Sequence, residues 1–157
     1  MIQLHSDAEL TAVYPLMAQL REHLKDPDDF IRRVRLGEKT LGYKLFGLEA
    51  EGRVISLCGA QQVELHCLSS RLPSPAPDGN GGVDDGRHLS VKDLVTDHDW
   101  RSRGYGGRLL LEVEAWAKMN GFCEVTLSSG TRRTKAHDFY TGKMGYSLVS
   151  HAFHKKI

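Results

Sequence analysis

The stretch D-L-V-T-D-H-D-W-R-S-R-G-Y-G-G-R-L-L-L-E-V-E-A-W-A-K-M-N-G, residues 93–121, decides the fold of this chain. It predicts a strand, a tight glycine-containing turn and an amphipathic helix, in that order. The helix is indicated by apolar side chains that recur at helical spacing, namely Leu109, Leu110, Val113, Trp116 and Ala117. We therefore expect this helix to begin at or just before Arg108.

The turn in front of the helix has the chemistry of an anion site. Gly104, Gly106 and Gly107 allow bare backbone to approach a bound group and to adopt left-handed φ values without a Cβ penalty. A helix start also offers unpaired N–H groups and the positive end of a dipole. Positive charge surrounds the turn at Arg101, Arg103 and Arg108. Together these features predict a site for a diphosphate.

The sequence pattern of this turn narrows the kind of phosphate binder. No Lys-Ser or Lys-Thr follows the glycines, so the P-loop is absent, and Leu109 breaks the dinucleotide fingerprint. The pattern that is present is R-x-x-G-x-G, formed by Arg101, Gly104 and Gly106. Between a strand and a helix it resembles the acetyl-CoA motif of the GNAT superfamily, the Gcn-related N-acetyltransferases. In that family [RQ]-x-x-G-x-[GA] follows the fourth strand.

A second signature lies near the C-terminus. The stretch A-H-D-F-Y-T-G-K-M-G-Y, residues 136–146, is similar to the family's A-x-x-F-Y-x-x-x-G-[FY] helix. The two matches occur in the family's order and at about its spacing, and the resemblance covers residues 88–157. The front half of the chain carries no specific motif. The resemblance implies that residues 1–157 form a single N-acetyltransferase domain with acetyl-CoA as cofactor.

Composition sets outer bounds on the function. The chain has 157 residues, a single-domain length, and a net charge of +1, which gives no basic excess for nucleic-acid binding. We find neither a secretion signal nor an apolar run of membrane-spanning length. The cysteines have no C-x-x-C spacing and are expected to be small buried hydrophobes in a reducing compartment: Cys58, Cys67 and Cys123. These features predict a cytoplasmic protein.

The first part of the chain predicts a short strand and two helices. Residues 2–5 form the strand, and Ser6 with Glu9 forms a capping box that opens the first helix. Asp26-Pro27 opens the second helix as an N-cap followed by proline. Gly37 is predicted to end it. In GNAT relatives this helical pair lies beside the acceptor-amine pocket.

Two strands and a long loop follow. Residues 43–49 and 54–68 are predicted to form strands joined by a hairpin at 51–53, and Gly59 marks a bulge. Residues 69–86, rich in Pro and Gly, predict a loop. This loop is either a surface insertion or a lid whose carboxylates attract a cationic amine, at Asp78, Asp84 and Asp85.

The C-terminal half completes a mixed α/β sheet. The next strand, residues 88–95, is expected to place four alternate residues on one face, namely Leu89, Val91, Asp93 and Val95. A strand at 123–127, a short helix at 135–144 and a last strand at 148–154 follow. The resemblance implies a GNAT fold, a mixed and mostly antiparallel sheet of roughly six to seven strands flanked by about four helices.

The resemblance also implies where acetyl-CoA binds. Main-chain groups of Leu94, Val95 and Thr96 would pair with the pantetheine arm as a further strand does, and an amide of this strand would polarise the acetyl carbonyl. Arg133 and His137 lie on the approach to the C-terminal helix and could touch the cofactor. The turn would hold the diphosphate through Arg101, Ser102, Arg103, Gly104, Tyr105, Gly106, Gly107 and Arg108.

Tyr140 is the first predicted catalytic residue. It matches the family's helix tyrosine, which commonly protonates the leaving sulfur. A phenol has a pKa of about 10 and a thiol about 8.5, so a strong hydrogen bond is feasible although full proton transfer is uphill. The alternative is an aromatic side chain that packs beside Phe139. Relatives often carry asparagine shortly before this helix, where this sequence has Gly130 and Arg133.

Asp93 is the predicted general base. Many relatives place a carboxylate on the fourth strand, where it acts directly or through water. The alternative is an aspartate at a strand end that bonds the following turn. His88 and His66 are further candidates, since imidazole titrates near neutrality. A lone strand histidine is, however, more often structural.

The sequence therefore predicts an N-acetyltransferase that transfers acetyl directly to a small-molecule primary amine. The C-terminal motif looks most like the small bacterial members of the family. A protein lysine or N-terminal amine is the second acceptor, and a non-catalytic acyl-CoA-binding module is the alternative from another class. No metal site is predicted at Asp97, His98 and Asp99, which lack further ligands. We expect no nucleic-acid or membrane partner, and relatives suggest a homodimer.

Overall fold

The computed structural model of the chain describes residues 1–64, 87–150 and 155–156. Its contacts divide the chain into two units, Met1–Leu127 and Ser128–Ile157, and each is described by itself. The single-domain organisation stays a prediction. No helix in the described ranges is long and apolar enough to cross a membrane.

The first unit contains one mixed sheet. Its strands lie in the order β1-β2-β3-β4-β5, with β4 and β5 parallel and the other pairs antiparallel. The predicted mixed, mostly antiparallel α/β class is confirmed, with five strands in the described residues rather than six to seven. Residues 148–150, predicted to begin a last strand, are not in one, and 151–154 lie outside the described residues. The strands are β1 (Ile2–Leu4), β2 (Lys44–Ala50), β3 (Arg53–Glu64), β4 (Arg87–Thr96) and β5 (Glu124–Leu127).

Four α-helices accompany these strands in the described residues. A single 3-10 turn, His98–Trp100, precedes α3, and a π-helical turn, Phe139–Lys143, follows α4. The predicted helix at 135–144 thus corresponds to α4 and this π-helical turn. The helices are α1 (Asp7–Ala18), α2 (Pro27–Leu41), α3 (Tyr105–Met119) and α4 (Thr134–Asp138).

Local end signals formed as predicted at the starts of α1 and α2. The Ser6 hydroxyl accepts from the Glu9 amide at 3.2 Å, and the Glu9 carboxylate accepts from the Ser6 amide at 2.7 Å. The Ser6 amide and the His5 amide, which donates to the same carboxylate at 3.0 Å, lower the pKa of Glu9 to about 2. At α2 the Asp26 carboxylate accepts from the Asp29 amide at 2.7 Å. Both caps satisfy amides that would otherwise lack a partner.

The predicted end of α2 at Gly37 is wrong. The helix continues to Leu41 and ends at Gly42, whose φ of 59° is left-handed. Gly37 has a different use, because a Cβ there would lie 3.1 Å from the Tyr43 Cβ. The Tyr43 amide also donates to the Gly37 carbonyl at 3.1 Å. The glycine therefore lets Tyr43 pack closely on the last turn of α2.

The sheet contains the predicted bulge, but the extra residue lies on β4. Gly59 pairs with Asp93 and the next residue, Ala60, pairs with Val91, so Lys92 is inserted between them. Cross-strand partners share a face and side chains alternate along a strand. The insertion therefore places Asp93 on the opposite face from Val91. The prediction of one face for all the buried β4 positions is wrong for this reason.

The two faces of the sheet pack against different helices. On one face Leu45, Leu57 and Val95 form a core with α1 and α2. On the other face Phe46 packs against Trp116 of α3, with ring centroids 5.1 Å apart.

The hairpin between β2 and β3 turns as predicted. Among the cysteines, Cys58 is buried and Cys123 is exposed, against the expectation of burial, and Cys67 lies outside the described residues.

Candidate active site

The sheet opens along the second half of β4. Strand β5 pairs with β4 from His88 to Val91, whereas β3 pairs with it as far as Thr96. Beyond the bulge at Lys92, β4 has no strand on its second edge within the described residues. Main-chain groups there can pair with an extended ligand. Leu94, Val95 and Thr96, predicted to bind the pantetheine arm, lie on this part of the strand.

Gln19, which follows α1, fixes the segment after β4. Its side-chain amide donates to Asp97 Oδ2 at 3.3 Å, and its carbonyl oxygen accepts from the His98 amide at 3.1 Å. Asp97 in turn caps the 3-10 turn by accepting from the Asp99 amide at 3.1 Å. Asp97, His98 and Asp99 each bring a potential metal ligand within 4.8 Å of the others. The absence of a metal site here stays a prediction.

The N-terminus of α3 is open to an anion. Gly104 is its N-cap, with a left-handed φ of 86°, and no side chain caps the helix. A Cβ on Gly104 would meet nothing within 4 Å. Gly106 and Gly107 lie inside α3, so a left-handed φ is confined to Gly104 among these glycines. Free amides, open space and bare backbone fit the diphosphate of coenzyme A.

The predicted cationic side chains of the turn all contact protein groups. Arg101 donates to the Thr96 carbonyl at 3.0 Å, and Arg108 to the Glu112 carboxylate at 3.0 Å. The Arg103 guanidinium lies over the Trp100 ring, 5.2 Å from its centroid. The remaining turn residues fit around them: Ser102 has a left-handed φ of 61° and Tyr105 packs edge-on to Trp100. We therefore expect main-chain amides to make the direct contacts with an anion.

Asp93 is nearly buried, with 8% of its surface exposed. Its Oδ1 accepts from Arg21 Nε at 2.7 Å and its Oδ2 from the Tyr43 hydroxyl at 2.9 Å. Arg21 also donates through Nη2 to the Lys92 carbonyl at 2.9 Å. The carboxylate thus binds side chains from other elements, and neither of these hydrogen bonds goes to the turn after β4. Its role as a base stays a prediction.

Burial and the Asp93 charge act on the neighbouring titratable groups. The pKa of Tyr43 is raised well above its usual value, first by burial and then by the nearby carboxylate. The same causes raise the pKa of the Cys58 thiol to about 12. Both groups therefore stay protonated at neutral pH.

Tyr43 fits in this place because two glycines flank it. A Cβ at position 59 would overlap the Tyr43 hydroxyl and lie 2.6 Å from its Cζ and 2.9 Å from Asp93 Oδ2. Gly37 makes the corresponding space on the α2 side. We call this arrangement of Gly37, Tyr43 and Gly59 the tyrosine slot.

In the second unit Tyr140 belongs to a small aromatic group. Its ring is 5.2 Å from that of Phe139 and 6.0 Å from that of Tyr146, and the Tyr146 amide donates to the Tyr140 carbonyl at 3.0 Å. The ring contact with Phe139 matches the packing alternative and does not test the acid role. His137 Nε2 lies 3.0 Å from the Gly130 carbonyl, and Arg133 is the exposed N-cap of α4.

Of the two alternative bases, His88 lies within the described residues and His66 does not. His88 Nδ1 lies 3.1 Å from Glu124 Oε2, its neighbour across β4 and β5. This contact is a structural use for that histidine. His66 lies outside the described residues, as does the predicted lid at 69–86.

Sequence reasoning did not identify several residues at this site. Gln19, Arg21 and Tyr43 carry no motif, and their contacts with β4 arise from helix and strand packing far along the chain.

Comparisons with known proteins agree with this geometry. Residues 10–146 match the model of the acetyltransferase (GNAT) family. The uncharacterized N-acetyltransferase YhdJ of Bacillus subtilis is 36% identical over all of this chain and 98% of its own length. The aminoglycoside N-acetyltransferase AAC(6')-Iy, solved with a bisubstrate analogue of CoA, has a TM-score of 0.75 at 15% identity, covering 99% of this chain and 95% of that chain.

A ribosomal-protein-alanine N-acetyltransferase from Brucella melitensis has a TM-score of 0.70 at 17% identity, covering 99% of this chain and 98% of that chain. These two structures share the fold. The chain belongs to the GNAT acetyltransferase family. Its activity is acetyl-CoA-dependent N-acetyl transfer, and acetyl-CoA is its cofactor.

The tyrosine slot predicts a specific cost of adding one methyl group. We expect Gly59→Ala to lower the free energy of unfolding by about 1–3 kcal/mol, because the new Cβ displaces Tyr43. Denaturant unfolding measures the loss. In the double variant Gly59→Ala/Tyr43→Leu the smaller side chain at position 43 removes the overlap. Its loss of unfolding free energy should therefore be smaller than the sum of the losses in the two single variants. Strictly additive losses would contradict the proposed packing.

Proposed function

We propose that the protein transfers the acetyl group of acetyl-CoA to the primary amine of a small molecule. The observation that carries this proposal is the recessed Asp93 carboxylate beside the open edge of β4. A carboxylate favours a cationic amine, and its recessed place favours a slender acceptor. The likeness in fold to an aminoglycoside N-acetyltransferase supports a small-molecule acceptor. The cytoplasmic location and the homodimer stay predictions.

The cofactor half of the site is assigned to main chain. Acetyl-CoA supplies an acetyl group activated as a thioester. We assign its pantetheine arm to the open edge of β4 at Leu94, Val95 and Thr96, and its diphosphate to the uncapped start of α3. Fixed amides bind charge there without reorganisation. Arg133 and His137 are kept as further cofactor-binding residues.

The acceptor must lose a proton before it reacts. An alkyl ammonium group has a pKa of about 10, so nearly all of it is protonated at neutral pH. We assign to Asp93 the removal of this proton, directly or through water. Binding then holds the amine nitrogen against the acetyl carbon, which lowers the entropic part of the barrier.

We assign the acid role to Tyr140. Its hydroxyl would donate to the sulfur that leaves as the new amide forms. The phenol is a slightly weaker acid than a thiol, so its contribution is a strong hydrogen bond rather than a fully transferred proton. The alternative acceptors are a protein lysine or N-terminal amine, and a ribosomal-protein-alanine N-acetyltransferase has a similar fold.

A panel of amines tests the acceptor directly. We expect acetyl-CoA-dependent thiol release with at least one small primary amine, such as an aminoglycoside, a polyamine or an aminoalkylphosphonate. Peptides with a free N-terminus or a lysine form the comparison arm. Turnover confined to peptides would contradict the small-molecule assignment. Thermal stabilisation by acetyl-CoA without any turnover would favour a binding module.

The amide assignment predicts a difference between two substitutions at Gly106. Gly106→Pro removes one main-chain N–H in the first turn of α3, where the helix itself does not need it. A hydrogen bond to a charged group contributes about 1.5–3 kcal/mol, so the Kd for acetyl-CoA should rise roughly ten- to hundredfold. Isothermal titration measures this change.

Gly106→Ala is the matched control for this measurement. It keeps the N–H and adds the same Cβ, which would lie 3.1 Å from Thr96 Oγ1. Equal weakening of binding in both variants would attribute the effect to crowding against Thr96 and remove the amide from the cofactor site.

The acid assignment predicts a kinetic effect of Tyr140→Phe. We expect kcat to fall roughly tenfold or more with little change in the Kd for acetyl-CoA, because only the proton donor is lost. Steady-state kinetics at saturating amine provide the measurement. Tyr146→Phe, which removes a hydroxyl from the same aromatic group, should retain kcat. An unchanged kcat in Tyr140→Phe would exclude it from the mechanism.

A further inference from the structure

The Asp93 carboxylate is held by two side chains from different elements. Arg21 follows α1 and Tyr43 precedes β2, and each binds one carboxylate oxygen, at 2.7 Å and 2.9 Å. We propose that Arg21 and Tyr43 are positioning residues that fix this carboxylate, in its ionised form, to accept the proton of the acceptor amine. This inference rests on the proposed function, which assigns the base but no residue that controls it.

The geometry leaves the carboxylate able to react. A carboxylate has about four acceptor positions, two on each oxygen. Arg21 and Tyr43 each occupy one, so each oxygen keeps a further position for a proton. The two donors also stop rotation of the group, which otherwise spends part of its time turned away from an acceptor.

Arg21 is itself fixed rather than loosely paired. Its Nη2 donates to the Lys92 carbonyl at 2.9 Å while its Nε binds Asp93, so one guanidinium spans the bulge residue and the next residue. Its side chain is 42% exposed, so the pair lies at the boundary of the protein and solvent.

The charge balance at Asp93 involves several elements. Arg21 from the segment after α1 and Tyr43 from the position before β2 bond it directly, and both favour its ionised form. Cys58 of β3, which senses both Asp93 and Glu114 of α3, stays neutral. Burial acts in the opposite direction and favours the neutral carboxyl. Removal of either donor therefore takes away one interaction that favours the ionised carboxylate.

The proton transfer needs no further reactant. The ammonium nitrogen gives one proton to an Asp93 oxygen and keeps the electron pair, so a neutral amine and a neutral carboxyl result. A base of this kind must be ionised to act, and the rate falls as pH falls through its titration. A substitution that favours the protonated carboxyl consequently moves the acid limb of the pH–rate profile to higher pH.

Two independent readouts on the full chain test this inference. The first is the titration of the Asp93 side-chain carbon by ¹³C NMR, and the second is the pH dependence of kcat/KM for an amine found in the panel. We expect Arg21→Gln to move both midpoints upward by about one pH unit. Tyr43→Phe should move both midpoints in the same direction by a smaller amount. Arg21→Lys keeps the positive charge, so both midpoints should stay close to those of the unmodified protein.

Arg35→Gln is the matched control, because Arg35 forms ion pairs with Asp7 and Glu38 in the same unit. It should move neither midpoint. A purely structural role would lower activity at every pH and leave both midpoints in place, which would overturn the inference. Movement of the NMR midpoint with an unmoved acid limb would also overturn it, since another group would then be the base.

Failure of the proposed function is recognised separately. If the unmodified protein acetylates no amine, the proposed function fails and the proton-accepting role fails with it, whatever the NMR titration shows. If it turns over an amine and the acid limb is the same in Arg21→Gln, the proposed function stands and the positioning role fails. Folding of each variant is checked by its amide spectrum, and Tyr43→Phe keeps the test available if Arg21→Gln does not fold.

Discussion

The residue inserted in β4 at Lys92 is the constraint on which the rest of the site depends. Before it, the strand pairs on both edges and buries Leu89 and Val91 on the α3 side. After it, one edge is left without a strand in the described part of the sheet, and Asp93 moves to the α1 and α2 side. One local irregularity therefore opens a main-chain edge and delivers a carboxylate to the same place.

The charged side chains around the site also have more than one role. The arginines of the turn after β4 lie against Thr96, Glu112 and Trp100, so they stabilise the turn while adding positive potential. Gln19 connects this turn to the end of α1, and Arg21 connects the same region to Asp93. The segment after α1 thus determines the shape of both halves of the site.

Features with local causes could be predicted from the sequence. The capping box at Ser6 and the N-cap at Asp26 depend on residues a few positions apart. The glycine turn before α3 was recognisable because its spacing is a family motif. These signals predicted the class of the fold, which is confirmed, and the place of the cofactor site, which stays a prediction.

Features that depend on packing could not be predicted. Gly37 has the residue type of a helix end, but its use is set by Tyr43, which lies beyond the actual end at Gly42. The exchange of faces at Asp93 depends on register with β3, and a single strand does not reveal its register. The partners of Asp93 are 72 and 50 positions away in sequence, so no periodicity connects them.

The number of residues in β4 limits how this chain can vary in length. Lys92 has an exposed side chain, so many residue types can replace it. Deletion of the residue has a different effect from its substitution. A chain shortened by that one residue would regain regular alternation and turn the Asp93 carboxylate toward the apolar layer beneath α3, away from Arg21 and Tyr43. Insertions and deletions at this position should therefore be far rarer among functional variants than substitutions.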